Sequence, residues 1–172
     1  RVVCNNSSGT ENSPITFVAN DMVSNYGWSF SKPYYTVQGF TVTGETLPQY
    51  QGTFTINPTA QGTKIIDNII SHSTSITYIF GVLMTGRSFG VSPANCLIQN
   101  NRILEPSYHA LYIQGQGHLI EGNYFTGTKG WDAIRALSAN TIYRRNVFEN
   151  WSNLISNTNH TDLIQAFADN GE

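Results

Sequence analysis

Charge is scarce in this chain and neither sign dominates: nine Lys and Arg stand against 11 Asp and Glu among 172 residues, a net charge of -2. Neutralising a nucleic-acid backbone takes clustered Lys and Arg, so no nucleic-acid partner is expected. No run of about 18 apolar residues occurs, so no membrane-spanning helix is expected, and the N-terminus lacks the basic and apolar regions of a signal peptide. Cysteine is also rare. Cys4 and Cys96 are too few for a disulfide framework. In the coil register derived below they fall about three coils apart, roughly 14 Å at the strand spacing of a sheet, beyond the ~7 Å that a disulfide spans between Cα atoms. Two buried free thiols are expected.

What is present is a globular composition, 40% hydrophobic, with an internal repeat. An apolar residue, two variable positions, Asn, one variable position and a second apolar residue recur in Ile65–Ile70, Ile98–Ile103, Ile120–Phe125 and Tyr143–Phe148. The Asn residues 68, 101, 123 and 146 are 33, 22 and 23 positions apart, and an earlier copy, Val37–Val42, carries Phe40 in the Asn slot. Between the copies lies a second strand signal that aligns as Phe54-Thr55-Ile56, Val82-Leu83-Met84, Leu111-Tyr112-Ile113, Ile134-Arg135-Ala136 and Ile164-Gln165-Ala166. Strands this short cannot bury a face alone, so successive units must stack on one another. A propeller blade needs about 40 residues, and the Leu lattice of leucine-rich repeats is absent. An inward Asn at a tight bend satisfies buried backbone groups and bonds to its counterpart in the next coil. The reading is therefore all-β: one right-handed parallel β-helix domain over 1–172, of about six coils, without helices. Longer units, Thr43–Gly62 and Ile70–Asn95, place their extra residues in loops. Arg1 is not an initiator Met, and Ala168–Glu172 follows directly on an apolar strand-like run. Both ends read as cuts in a longer solenoid, and a processed leader would place the protein outside the cell or on its surface. Asn6-Ser7-Ser8, Asn150-Trp151-Ser152 and Asn159-His160-Thr161 match the glycosylation pattern, as chance allows in so Asn- and Ser-rich a chain.

The stretch Asn6-Ser7-Ser8-Gly9-Thr10, then Ser13-Pro14-Ile15-Thr16-Phe17, then Tyr35 to Gly44 resembles the opening coils of chondroitinase B-like polysaccharide lyases (family six). Asp132-Ala133-Ile134-Arg135 and His160–Gln165 are similar to coils of the wider parallel β-helix superfamily. The resemblance implies β-elimination on a uronic-acid polysaccharide, with a Lys as base, an Arg as acid and a Ca2+ ion held by Asn and Glu that offsets the uronate charge. The acidic cluster for that ion is not found in the sequence.

Aligning the second strands puts His109, Asp132 and Asp162 in one column and Tyr112, Arg135 and Gln165 in another. Both columns are expected to face solvent along one side of the rod, with Leu111, Ile134 and Ile164 inward and Lys129 and His160 on adjoining turns. In such a groove Lys129 or His160 would accept a proton, Arg135 would bind a carboxylate through its planar fork, and Asp132 and Asp162 would act as acid-base or cation-binding groups. Asp132 and Asp162 also read as a hydrolase pair on neighbouring coils, or as turn-shaping residues ahead of an apolar run. His109, Tyr112, Trp131 and Gln165 are the expected substrate contacts. Tyr34, Tyr35, Tyr50, Tyr108 and Trp151 are further candidate sugar platforms. The expected partner is thus a polysaccharide, turned over or only bound, and a solenoid of this kind is also able to stack end to end as a homo-oligomer.

Overall fold

The computed structural model describes residues 1–71, 78–86, 91–127, 131–151 and 162–167. The chain forms a parallel β-solenoid of about five turns, with no helix among the described residues. Each turn of the chain visits three sheets in sequence. The first sheet stacks Val2–Cys4, Trp28–Phe30, Gly52–Ile56, Phe80–Met84, Leu111–Gln116, Ile134–Ala139 and Ile164–Ala166. The second stacks Ile15–Val18, Tyr35–Gln38, Lys64–Ile66, Leu97–Gln99, Leu119–Glu121 and Ile142–Arg144, and the third Ser24–Asn25, Thr41–Val42, Ile69–Ser71, Arg102–Leu104, Tyr124–Thr126 and Val147–Glu149.

The register is the one that the repeat predicts. Phe54 pairs with Val82, Val82 with Leu111, Leu111 with Ile134 and Ile134 with Ile164. Because side chains alternate across a strand, each inward position becomes a column along the axis: Val37, Ile65, Ile98 and Ile120 in the second sheet, Val42, Ile70, Ile103 and Phe125 in the third, all fully buried. Phe148 continues the last of these, its ring stacked 4.8 Å from that of Phe125. Cys4 and Cys96 are free and buried, as expected. They do not share a column, however: Cys4 ends a strand of the first sheet and Cys96 precedes one of the second.

The corner between the second and third sheets fixes the stack. After the first coil, two residues make it: the first in the left-handed region (Gly39, Asp67, Asn100, Gly122, Arg145), the second at the ladder position (Phe40, Asn68, Asn101, Asn123, Asn146). Asn68 Oδ1 accepts the Phe40 N–H at 2.9 Å, Asn101 Oδ1 that of Asn68 at 2.9 Å, Asn123 Oδ1 that of Asn101 at 3.0 Å, and Asn146 Oδ1 that of Asn123 at 3.0 Å. The amide nitrogens reach back to strand carbonyls, Asn101 Nδ2 to Ile65 and Gln99, and Asn123 Nδ2 to Ile98.

Replacing Asn101 by Leu leaves the Asn68 N–H and the Ile65 and Gln99 carbonyls without these partners in a dry corner. Buried groups left unpaired cost about 1–3 kcal/mol each before relaxation, so a loss of roughly 3 kcal/mol is expected from urea unfolding. An unchanged midpoint would refute the ladder.

Candidate functional site

The corner between the third and first sheets is built differently, from aromatic rings. Tyr50, Tyr78, Tyr108 and Trp131 come from four successive coils and touch in order. Tyr50 and Tyr78 are stacked at 5.2 Å, Tyr78 and Tyr108 meet edge to face at 5.5 Å, and Tyr108 and Trp131 edge to face at 4.6 Å. The Trp151 indole N–H donates to the Trp131 carbonyl at 3.2 Å, carrying the series one coil further. Tyr50 is 56% exposed and the next three rings are half-buried, so the row forms a surface.

That surface is held against local preference. Tyr50 and Tyr78 have φ of 62° and 63°, a region costing a bulky residue about 1–3 kcal/mol. An aromatic pair returns about 0.5–1.5 kcal/mol beyond its buried area, so ring pairing alone does not offset two such residues. The Tyr50 N–H bonded to the Tyr78 carbonyl at 2.9 Å helps to hold the bend.

Behind the row lie the polar columns, and one of them is covered where exposure was expected. His109 and Asp132 are 1% and 2% exposed and do not face solvent. They are covered from outside rather than pointed into the core: His109 lies against the outward Tyr112 and Asp132 beside the outward Arg135, while Ala110 and Ala133 join Leu111 and Ile134 in the core. Rings seal the position, with Phe80, Tyr108, Tyr112 and Trp131 all within 6.2 Å of the His109 imidazole, centroid to centroid. Asp132 is engaged rather than poised. Its Oδ1 accepts the Asp162 N–H at 3.1 Å, shaping the turn of the next coil, and its Oδ2 lies 3.9 Å from Arg135 Nη1. Asp162 itself is exposed. One carboxylate is thus buried and bonded to the other residue's backbone, an arrangement unlike two carboxylates flanking a groove.

His109 Nδ1 lies 3.3 Å from the Asp132 carbonyl, which requires the proton on Nδ1. Nε2 has no hydrogen-bond partner among the described residues. Burial, and after it the Arg135 charge, push His109 down to about 4. The ring is neutral near pH 7, so its 3.6 Å approach to Asp132 Oδ2 is not an ion pair.

The other column is placed as expected. Tyr112 pairs with Arg135 and Arg135 with Gln165, and all three are half-buried with their side chains outward. The Arg135 guanidinium lies 4.8 Å over the Phe167 ring. Lys129 and His160 lie outside the described residues. Among the described residues no group of three or more His, Cys, Asp or Glu is placed to hold a metal ion. Tyr35 is not a platform: it is 4% exposed and its hydroxyl donates to the Ser7 carbonyl at 2.5 Å. Tyr78, a central ring of the row, was not among the residues that the sequence singled out. Its signal was the 28-residue offset that joins Phe54 to Val82 and equally joins Tyr50 to Tyr78.

No family model, curated protein or solved structure matches the chain.

A neutral buried imidazole makes stability depend on pH. In the unfolded chain His109 takes up a proton near its ordinary value of about 6.5, but in the fold only near 4, so between those values the unfolded state binds more protons. Stability from this group is complete above about pH 6.5 and is lost progressively as pH falls toward 4. His118, also pushed down by burial, adds to the same slope. Urea midpoints between pH 7 and 4 should fall for the native chain and fall less for His109→Phe. An equal slope in both would place the titration elsewhere.

Proposed function

We propose that the protein binds an acidic polysaccharide lengthwise along the corner between the third and first sheets, on the aromatic row and the neighbouring Tyr112–Arg135–Gln165 column. The observation carrying this reading is the row itself: Tyr50, Tyr78, Tyr108 and Trp131, one ring per coil, two of them held in a costly backbone conformation. Sugar rings pack their apolar C–H faces on aromatic side chains. An extended pyranose chain lying along the rod advances about one ring length per sugar, close to the strand spacing of about 4.8 Å, so successive sugars would meet equivalent positions on successive coils. Arg135 supplies the charge selection, since its fork suits a uronate carboxylate. The resemblance of the opening coils to chondroitinase B-like lyases supports a uronate polymer in particular.

Binding is the reading taken here: Asp132 is bonded within the wall of the site and His109 is buried behind the rings, so neither stands open to a bound polymer. Retention of the chain in gels carrying alginate, pectate or a chondroitin-type polymer is the direct measurement. Native protein should be retarded by a polyuronate and not by a neutral glucan. Trp131→Ala should weaken retention about tenfold or more, as expected for loss of a central aromatic contact. Arg135→Ala should reduce retention by the polyuronate alone. Equal retardation by charged and neutral polymers, or unaltered retention in both variants, would sink the proposal. Ultraviolet absorbance of an unsaturated uronate product, with and without calcium, reads in the same samples whether β-elimination follows binding.

A further inference from the structure

The other edge of the first sheet, at its corner with the second, also has a feature that the polymer reading does not use. Residues Tyr34, Gly62, Asn95, Gly117 and Asn140 stand in register there, all with positive φ. Two of them reach along the rod over the next coil: the Tyr34 ring lies on Gly62, so close that a Cβ there would meet it at 2.5 Å, and Asn95 Oδ1 lies likewise over Gly117. Gly62 has no side chain to extend over Asn95. At this point a cleft of about 130 Å³, open to solvent, is lined by Glu11, Tyr34, Gln61, Gly62, Lys64 and Asn95.

Its chemistry is specific. Tyr34 is half-buried, is fixed by its seat on Gly62, and takes a hydrogen bond on its hydroxyl from Gln61 Nε2 at 3.3 Å. Lys64 and Glu11 line the same cleft, and neither forms an ion pair among the described residues. An aromatic ring suits the apolar face of a pyranose. The Glu11 carboxylate accepts from sugar hydroxyls, and the Gln61 and Asn95 amides both donate and accept. A neutral sugar would leave Lys64 without an ion-pair contact; a sugar carrying a carboxylate supplies one through a charge-assisted hydrogen bond.

We propose that this cleft is a second binding site, separate from the aromatic row, that takes a single uronate residue: its ring on Tyr34, its hydroxyls on Glu11 and the two amides, its carboxylate on Lys64. The choice of uronate rests on the polymer reading above; the cleft and its charges do not. A chain bound along one edge of the first sheet and a terminal or branching uronate captured at the other would grip the polymer at two points.

The test is a titration of the full chain by NMR with sodium glucuronate, with glucose and sodium acetate as matched probes, following the Tyr34 ring signals. Glucuronate should shift them saturably and bind about tenfold more tightly than glucose, and acetate should leave them unmoved. Lys64→Gln should bring glucuronate down to the affinity of glucose. Tyr34→Asn, whose replacement also tolerates the left-handed region, should remove both sugars while leaving the thermal midpoint near native. Equal affinity for glucuronate and glucose, no saturable shift, or indifference to Lys64→Gln overturns the assignment. Trp131→Ala separates the two readings, since it should weaken polymer retention and leave glucuronate titration intact. Glucuronate binding without polymer retention would remove the aromatic row and keep the cleft, and the converse would remove the cleft alone.

Discussion

A side-chain amide standing in for a peptide group is the interaction on which the solenoid depends. At the corner between the second and third sheets the backbone turns through two residues, and the hydrogen-bond direction of the strands is interrupted there. The N–H groups of Phe40, Asn68, Asn101 and Asn123 still point along the axis, and the Oδ1 atoms of the next Asn in the series receive them. Each amide nitrogen then takes a carbonyl of the preceding coil or of its own strand. Burying those groups unbonded would cost about 1–3 kcal/mol apiece, so the corner determines which coil sits on which, and the Ile and Phe columns follow in register.

The remaining corners are freed by that arrangement. With one corner of constant length from Gln38 onward setting the stack, the other two vary: two residues join the first and second sheets at Gly117-His118 and at Asn140-Thr141, and many more between Met84 and Leu97. Both proposed sites lie at these variable corners, on the two edges of the first sheet. In each, a tyrosine occupies the left-handed region. Such a conformation persists only where surrounding packing over-determines it, and here neighbouring coils supply that packing: a second ring beneath Tyr50, and a glycine beneath Tyr34.

How much of this was legible in the sequence follows from which residues repeat. The Asn spacing and the flanking apolar pairs identified the parallel coils, placed Phe40 in the ladder, and aligned Leu111 with Ile134 and Ile164 as they are paired. Repetition of an inward residue is strongly constrained, because a one-residue slip would turn a whole column outward. His109 and Asp132 were expected in solvent, and what buries them is the cover of rings from neighbouring turns, which the alternation of strand residues does not reveal. The aromatic row was only partly visible. Its members sit in turns of unequal length, so Tyr108 does not keep the strand offset that links Tyr50 to Tyr78, and ring contact across coils leaves no fixed interval to search for. The cleft was invisible for a related reason, since it arises where a side chain is missing at Gly62.

The alternation at that corner has a consequence for how such a rod can lengthen. Tyr34, Gly62, Asn95 and Gly117 alternate between a residue that reaches over its neighbour and, in the glycines, one that makes room. The unit of translation there is two coils rather than one. Copying a single coil would set two reaching side chains in succession or two bare backbones, whereas copying a pair would preserve the pattern; growth and shrinkage of this solenoid by recombination should therefore proceed most easily in even steps.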